Sequence, residues 1–583
     1  MFLGRIDLTM NLKQAIAIVA GAGTGVLLGK KLKEKEICPL CVAKKAIAAT
    51  QVHVCDNEKY NNGVALTPPM GWSSWNTFRN TIDEKLITDI AVAMKKTGLL
   101  DAGYKYVNLD DCWQSSLRTA DGKLQGDLTR FPRGMKPLID EINGMGFKVG
   151  LYTSNGTLTC EDLPASLYNE AIDADTLAEW GVEYFKYDFC HNETIPTVAP
   201  SLIKILIGKP GENDFIDMYA SHGIVKKGAK VVADEKVEGG FIVSSLCGGL
   251  GELHFDTIEV PEDGEYNLTI VFRKGGNIKK FLVCQVNNDK EYDCYFPQSK
   301  GFTPDGRLQI VVTLKKGVNT LRFYNPVASR MDSAQRQYVK MGNELKRATK
   351  EFAEKNGTPE KPICFSICEW GINQPWKWGM KAGNLWRTTP DIKPTWASMI
   401  LIYEFNVRLY KHSGIGSWND PDMLEVGVGE LTMEENKTHF SLWCMMAAPL
   451  ILGNDIRKFI KDDGTVDTDN KVLEILKNKN LIAIDQDSLG LQAKRIFTDG
   501  LTDILVKPLE NNELAVCFLN KSNTEKTFNL PIYKLHNDPY VTLPFAKEFE
   551  VTELWDNVSF TLTDAITETV SPHGVKVYRI KAK

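Results

Sequence analysis

The chain alternates strand-like and helix-like patterns from about residue 64 to 193, abandons the alternation for more than a hundred residues, and then resumes it. Repeated β-α units with strands apolar on both faces require a parallel sheet covered by helices. In the first stretch the strands end at Met70-Gly-Trp-Ser-Ser-Trp75, Tyr104–Asp111, Phe147–Tyr152 and Tyr184–Asp188. Helical periodicity fills Ile82–Lys96, Met135–Met145 and Ala171–Trp180. After the gap, Tyr338, Met341, Leu345, Ala348 and Phe352 form one apolar helix face, and Pro362–Glu369 reads as a fifth strand. Asn384–Arg387 and Gly416–Asp420 supply two more polar strand ends, and Pro449–Asn454 follows a helix over Thr432–Ala448 as the eighth. The expected fold is α/β: a (β/α)8 TIM barrel over 61–200 and 327–488.

The gap itself reads as strand only. Gly240–Ser244, Glu252–Asp256, Tyr266–Phe272, Phe281–Cys284, Leu308–Leu314 and Thr320–Tyr324 are separated by turns such as Glu262-Asp-Gly264 and Lys315-Lys-Gly317. They predict a β-sandwich over 201–326, inserted in a βα loop where added length costs little closure entropy. From 489 to 583 the chain is β-rich again and predicts a C-terminal antiparallel β domain.

The ends and the composition constrain less. Ala15–Gly29 is an apolar, Gly-rich run flanked by Arg5, Lys13 and Lys30-Lys31, short for a spanning helix and without a good cleavage site. Residues 1–60 therefore read as a leader or a membrane-associated segment, with export left open. A net charge of −5 gives no electrostatic case for nucleic acid. Thirteen cysteines, several in apolar patterns, favour a cytoplasmic setting. Cys38-Pro-Leu-Cys41, with Cys55, has metal spacing but lacks a completing set. If the strands preceding Cys160 and Cys190 are neighbours, these two meet at the sheet rim as a disulfide or a close thiol pair.

Collected at the expected strand ends are Trp75, Asp110, Asp111, Tyr152, Lys186, Asp188, Glu369, Arg387, Asp391 and Asp422. So many carboxylates, with two cations and aromatics at one mouth, suit a sugar or an oxygen-ligated metal. Histidines are absent from these strand ends, which argues against a transition metal; magnesium stays open. Lys186, two residues before Asp188, is expected to hold that carboxylate ionised, as a nucleophile requires.

These segments resemble glycoside hydrolase family 27, the α-galactosidase (melibiase) family. The resemblance rests on Leu66-Thr-Pro-Pro-Met-Gly-Trp-Ser-Ser-Trp-Asn-Thr-Phe78, Asn108-Leu-Asp-Asp-Cys-Trp113, Lys186-Tyr-Asp-Phe-Cys190, Cys368-Glu-Trp-Gly371, Leu385-Trp-Arg-Thr-Thr-Pro-Asp-Ile392 and Trp418-Asn-Asp-Pro-Asp-Met423. It implies a retaining exo-glycosidase acting on terminal α-linked D-galactose without a cofactor, with Asp188 as nucleophile and Asp391 as acid/base. It further implies that Asp110 and Asp111 bind the 4- and 6-hydroxyls, Lys186 the 3- and 4-hydroxyls, and Glu369 and Arg387 the 2-hydroxyl side. Trp75 and Trp370 would be apolar walls, and Tyr152 and Asp422 further polar lining. Glu369 argues against an α-N-acetylgalactosaminidase, the Asp110-Asp111 pair against a β-L-arabinopyranosidase, and the two aspartates against a non-catalytic glycan-binding protein. A transglycosylase shares every step but the acceptor, and a homo-oligomer stays open. Pro390 stands where the family often has glycine, and Cys112 lacks the partner found in some relatives. The insert is similar to carbohydrate-binding modules of the jelly-roll type.

Overall fold

The structure is a computed structural model that describes residues 59–274, 277–298, 303–536 and 538–583. The readings on residues 1–58, including Cys38, Cys41 and Cys55, lie outside it. The chain divides into two compact units, one of 1–192 with 338–583 and one of 193–337.

In the first unit eight parallel strands form one sheet. They are β1 (Met70–Ser73), β2 (Tyr106–Asn108), β3 (Lys148–Ser154), β4 (Tyr184–Asp188), β5 (Cys364–Ile367), β6 (Leu385–Arg387), β7 (Trp418–Asp420) and β8 (Leu450–Leu452). Their spatial order is 7-6-5-4-3-2-1-8, with register fixed by pairs such as Gly71↔Tyr106, Gly150↔Tyr184 and Leu385↔Trp418. A further parallel bridge, Leu424↔Leu452, links the segment after β7 to β8. The strands are buried almost throughout, which is why they read as continuous apolar runs. At Gly150 a Cβ would collide with Asn108 of the neighbouring strand, so only glycine lets β2 and β3 approach this closely.

The helices begin where their caps allow. In α1 (Glu84–Lys96) the Asp83 carboxylate accepts from Leu86 N–H, and Leu86, Ile87, Ile90 and Met94 form the buried stripe. α2 spans Met135–Gly144, and α3 (Glu170–Trp180) ends on Gly181 in the left-handed region. α4 (Arg330–Asn356) is followed by α5 (Trp396–Asn406), capped by Thr395, and by α6 (Met433–Met445), which opens on a Thr432/Glu435 capping box. The C-terminal part is antiparallel. Lys494–Thr498, Thr502–Leu509, Glu513–Asn520, Val575–Ala582, Phe549–Glu553 and Val558–Leu562 form a six-stranded sheet. Lys526–Pro531 pairs with Ala565–Val570 beside it. Among the described residues no helix is long and apolar enough to cross a membrane.

The second unit contains two antiparallel sheets. One orders Lys290–Phe296, Lys280–Val286, Gly317–Tyr324, Gly251–Val260 and Ile224–Lys227. The other orders Thr303–Leu314, Gly264–Lys274, Ser201–Gly208, Phe241–Ser244 and Lys230–Ala233. Buried residues from both, among them Ile205, Ile207, Leu268 and Ile270 with Phe255, Leu282, Leu321 and Phe323, form one cluster. Strands begin at Ser201, well before the first β run expected at Gly240. Ser201-Leu-Ile-Lys-Ile-Leu-Ile-Gly208 is a central strand with almost no polar alternation, the pattern least readable by period.

Candidate active site

A cavity of about 390 Å³ opens at the C-terminal ends of the parallel strands. Trp75, Asp110, Asp111, Tyr152, Lys186, Asp188, Trp370, Arg387, Asp391 and Asp422 line it, so the fold brings together every residue expected from the sequence except Glu369.

Asp188 closes β4 and is nearly buried. Tyr152 Oη donates to its Oδ2 at 2.9 Å and Phe189 N–H to its Oδ1 at 2.8 Å. Burial raises this carboxyl above its usual range, while Lys186, Phe189 N–H and Tyr152 work against that rise. Lys186 favours the charged form of Asp188, as expected, but its direct ion pair lies elsewhere. Its Nζ forms an ion pair with Asp110 Oδ2 at 2.8 Å, across to the loop after β2, and sits 5.3 Å from the centre of the Tyr152 ring. Burial alone would lower the lysine; Asp110, Cys368 and Asp188 together outweigh it and keep the ammonium charged.

Asp111 accepts from Cys112 N–H at 2.7 Å and from Glu161 N–H at 3.0 Å, and burial still pushes it up to about 6. Arg387 ends β6 with its side chain 4 % exposed, and its Nη2 reaches Asp391 Oδ1 at 2.9 Å and Asp422 Oδ2 at 2.8 Å. The two carboxyls shift oppositely. Burial raises Asp422 to about 6. Asp391 stands exposed at the mouth, its side chain 73% accessible; what desolvation the walls impose raises it, but Arg387 and Lys186 prevail and hold it below the ordinary range. The acid/base role expected of Asp391 needs a carboxyl that carries a proton, which the guanidinium opposes in the free protein.

Glu369 corrects another expectation. It is fully buried, away from the cavity, with both oxygens accepting from Asn373 N–H at 2.9 Å, and burial pushes it up to about 8. Its neighbours flank the site instead: Trp370 lines the cavity, and the Cys368 thiol lies 3.8 Å from Arg387 Nη1. The carboxylate is thus not among the groups that line the cavity. Glu425 went unnoticed in the sequence, although it follows the same strand end as Asp422. It lines the cavity, accepts from Asn76, leaves Oε2 without a partner and is pushed by burial, with help from Asp422, up to about 7. Arg79 was missed too; its guanidinium lies 5.8 Å from the Trp75 ring centre.

Cys160 and Cys190 are joined in a disulfide with Cα atoms 5.1 Å apart, and Cys160 Sγ is 3.7 Å from Asp188 Oδ2. These three are the only metal-like grouping among the described residues, and the bond between the sulfurs removes both as ligands. Cys112 is a free, buried thiol, as the sequence implied.

A family profile described as alpha galactosidase A matches residues 67–205 and 311–487, and one described as the alpha galactosidase C-terminal beta sandwich domain matches 499–580. Alpha-galactosidase 3 of Arabidopsis thaliana is 30% identical over 470 residues, covering 80% of this chain and 72% of the relative. Alpha-galactosidase A of Cellvibrio japonicus is 28% identical over 552 residues, covering 92% and 97%. The crystal structure of α-galactosidase I from Mortierella vinacea superposes with a TM-score of 0.61 at 27% identity, covering 90% of this chain and 99% of that one.

Proposed function

The chain belongs to the α-galactosidase (melibiase) family and is a galactose-releasing glycosidase; we propose that it cleaves terminal α-linked D-galactose from oligosaccharides by double displacement. Asp188 attacks the anomeric carbon while Asp391 gives its proton to the departing oxygen, so the C1–O bond breaks as the glycosyl-enzyme ester forms. Asp391, now a carboxylate, takes a proton from water. The resulting attack at C1 returns Asp188 and releases galactose in its original configuration.

The observation that carries this reading is the hold on Asp188: Tyr152 and Phe189 N–H fix one oxygen each, at the end of a buried strand facing the cavity. For Asp391, bound sugar must raise the carboxyl. Excluding water from the mouth and drawing Arg387 toward a sugar hydroxyl both act in that direction. Asp110 and Asp111 serve the 4- and 6-hydroxyls, which favours galactose over an arabinopyranoside. Selection against a 2-acetamido group falls to the remaining wall near Arg387 and Cys368.

On this reading the parallel strands close as a (β/α)8 barrel over 61–200 and 327–488, with 201–326 an inserted β-sandwich and 489–583 the C-terminal domain. The bridge Leu424↔Leu452, the core shared by the two sheets of the second unit, and the interruption of the family match between 205 and 311 support it.

Proton NMR of p-nitrophenyl α-galactoside with the purified protein tests the mechanism. The expected first product is α-galactose, lost in Asp188→Ala and unaffected by chelator. β-Galactose as first product, or full turnover by Asp188→Ala, would overturn it.

A further inference from the structure

Asp391 acts from an open position. Its side chain is 73% exposed, so packing does not hold it, and the ion pair with Arg387 fixes only its carboxyl end. The backbone must carry the rest. Residues 391–394 run along the galactose cavity as a continuous wall. At the upstream end, Ile392 N–H donates to Asp422 Oδ2 at 2.8 Å, which ties the wall to the parallel-sheet part. At the downstream end, Pro394 packs on Gly429 so closely that a Cβ there would collide with it, and the chain then enters α5 at Trp396. The cap at this point is weak: Thr395 Oγ1 accepts from Ser398 N–H at 3.4 Å.

Trp396 is held instead from the C-terminal part. Its ring lies face to face with that of His573, centroids 4.2 Å apart and planes inclined by 11°. His573 sits in the turn Ser571-Pro572-His573-Gly574, between the strands Ala565–Val570 and Val575–Ala582. Its φ of 56° lies in the left-handed region, which residues with a side chain seldom adopt. The surroundings keep it there. Nδ1 lies 2.7 Å from Glu435 Oε1, Nε2 lies 2.8 Å from Asn523 Oδ1, and Thr438 Oγ1 donates to its carbonyl at 2.7 Å. Glu435 is fixed in turn, its other oxygen accepting from Thr432 N–H at 2.8 Å at the start of α6. With both ring nitrogens engaged, His573 offers Trp396 a flat face in a fixed place.

We propose that His573 is a positioning residue for the reaction: through its stack on Trp396, the C-terminal sheet sets where the 391–394 wall stands and hence how Asp391 meets the glycosidic oxygen. The inference rests on the α-galactosidase reading, with Asp391 as acid/base. His573 is not among the residues that line the cavity, so its effect passes through the loop. Pro390 and Pro394 bracket that loop with fixed φ angles, so a displacement of Trp396 is handed on to Asp391 rather than absorbed by bending. Misplacing a reacting group by about 1 Å costs on the order of a hundredfold in rate. The loss falls on substrates whose leaving oxygen needs the proton.

The test reads kcat/KM, which covers the steps up to the glycosyl-enzyme, for melibiose and for a dinitrophenyl α-galactoside, whose leaving group departs without protonation. His573→Asn keeps a residue at ease in the left-handed region and a donor for Glu435, but removes the ring. His573→Phe keeps the ring and removes the nitrogens. The expected result for His573→Asn is a kcat/KM for melibiose lowered about tenfold, with the dinitrophenyl galactoside within about twofold of wild type. His573→Phe should recover most of the melibiose activity. Equal losses on both substrates, no loss in His573→Asn, or a His573→Phe as poor as His573→Asn would overturn it. A wild type inactive on both substrates would instead remove the galactosidase reading, and an Asp391→Asn without leaving-group discrimination the acid/base assignment, each taking this extension with it.

Discussion

The hydroxyl of Tyr152, midway along β3, donates a 2.9 Å hydrogen bond to Asp188 Oδ2 at the end of β4. Because burial raises Asp188, this donor and Phe189 N–H do more than orient the carboxylate: they favour its charged form where the surroundings disfavour it. Tyr152 keeps the proton it donates, since burial and the charge of Asp188 hold its own pKa well above the usual range.

Tyr152→Phe removes that donor and little volume. A hydrogen bond to a charged group contributes about 1.5–3 kcal/mol, so kcat/KM should fall roughly ten- to a hundredfold. The loss should be larger on the acid side. Asp188 must be ionised to attack, and without the donor its carboxyl rises further, moving the acid limb of the kcat/KM profile to higher pH. An unmoved acid limb would make Tyr152 a packing residue.

Asp391→Asn should separate substrates by leaving group. Protonation of the departing oxygen contributes about 10²–10⁴-fold. Cleavage of melibiose should therefore fall by about that factor, and formation of the glycosyl-enzyme from a dinitrophenyl galactoside far less. Azide, which needs no general base, should restore turnover of the activated substrate as galactosyl azide. An equal loss on both substrates, without azide rescue, would place the acid elsewhere, with Asp422 next in line across Arg387.

Glu369→Gln should leave aryl galactoside kcat/KM within about twofold, because the side chain is walled off from the cavity. Its effect should appear in stability. The folded carboxyl, at about 8, lies above the ordinary glutamate value of about 4.3. Its stabilising contribution is complete below the unfolded value and is lost as pH rises through the folded one. Tm should therefore drop less between about pH 5 and pH 8 in Glu369→Gln than in wild type. A more than tenfold loss of activity would return Glu369 to the sugar site.

The parallel strands were legible because both faces are buried, leaving apolar runs that end in polar residues; even β6 and β7, three residues each, were found by those ends. The strands of the second unit before Gly240 were not. Lys230–Ala233 is exposed along its length, and Ser201–Gly208 is buried along nearly all of it, so neither carries the alternation of a half-buried strand. In the site, proximity in sequence was an incomplete guide. Lys186 and Asp188 share a strand face and the lysine favours the charged carboxylate, yet its ion pair is with Asp110 on another segment. Glu369 sits between two residues beside the cavity and is not among those that line it. Glu425 and Arg79 enter through loop geometry, which residue type alone does not encode.

The Cys160–Cys190 disulfide closes a segment 30 residues long and ties the loop after β3 to the end of β4. Ser154 Oγ donates to Cys190 O at 2.8 Å, and Gly156 packs so tightly on Cys190 that a Cβ there would collide with it. Replacing both cysteines by serine should cost about 3–4 kcal/mol of stability, by the loop-length relation. It should also reduce kcat, because Cys160 packs beside Asp188. Reductant should lower the Tm of wild type and leave the double variant unchanged. A wild type indifferent to reductant, with no free-thiol gain, would refute the disulfide.

A buried charge cluster decides whether the C-terminal sheet is a separable module. On α5, Tyr403 Oη donates to Asp503 Oδ2 at 2.8 Å, and Glu404 accepts from Lys521 at 2.7 Å and Arg495 at 2.9 Å. Asp503, fully buried, also receives Arg495 at 3.0 Å and Lys521 at 2.8 Å. With Arg408, which reaches Glu404 at 3.2 Å, three cations thus face two carboxylates between the parallel-sheet part and the antiparallel sheet. Glu404 shows the balance: burial raises it, but Arg495 and Lys521 bring it down to about 2. Its contribution is lost only as pH falls from the unfolded range through that value. Asp503→Ala leaves Arg408, Arg495 and Lys521 facing the single carboxylate of Glu404, a change that costs about 3–5 kcal/mol. If the C-terminal sheet and the parallel-sheet part form one cooperative body, that loss lowers the temperature at which galactosidase activity disappears and the temperature at which the C-terminal sheet unfolds by the same amount. Calorimetry with parallel activity assays reads both. A variant whose C-terminal transition moves while the loss of activity does not would show that the sheet unfolds on its own.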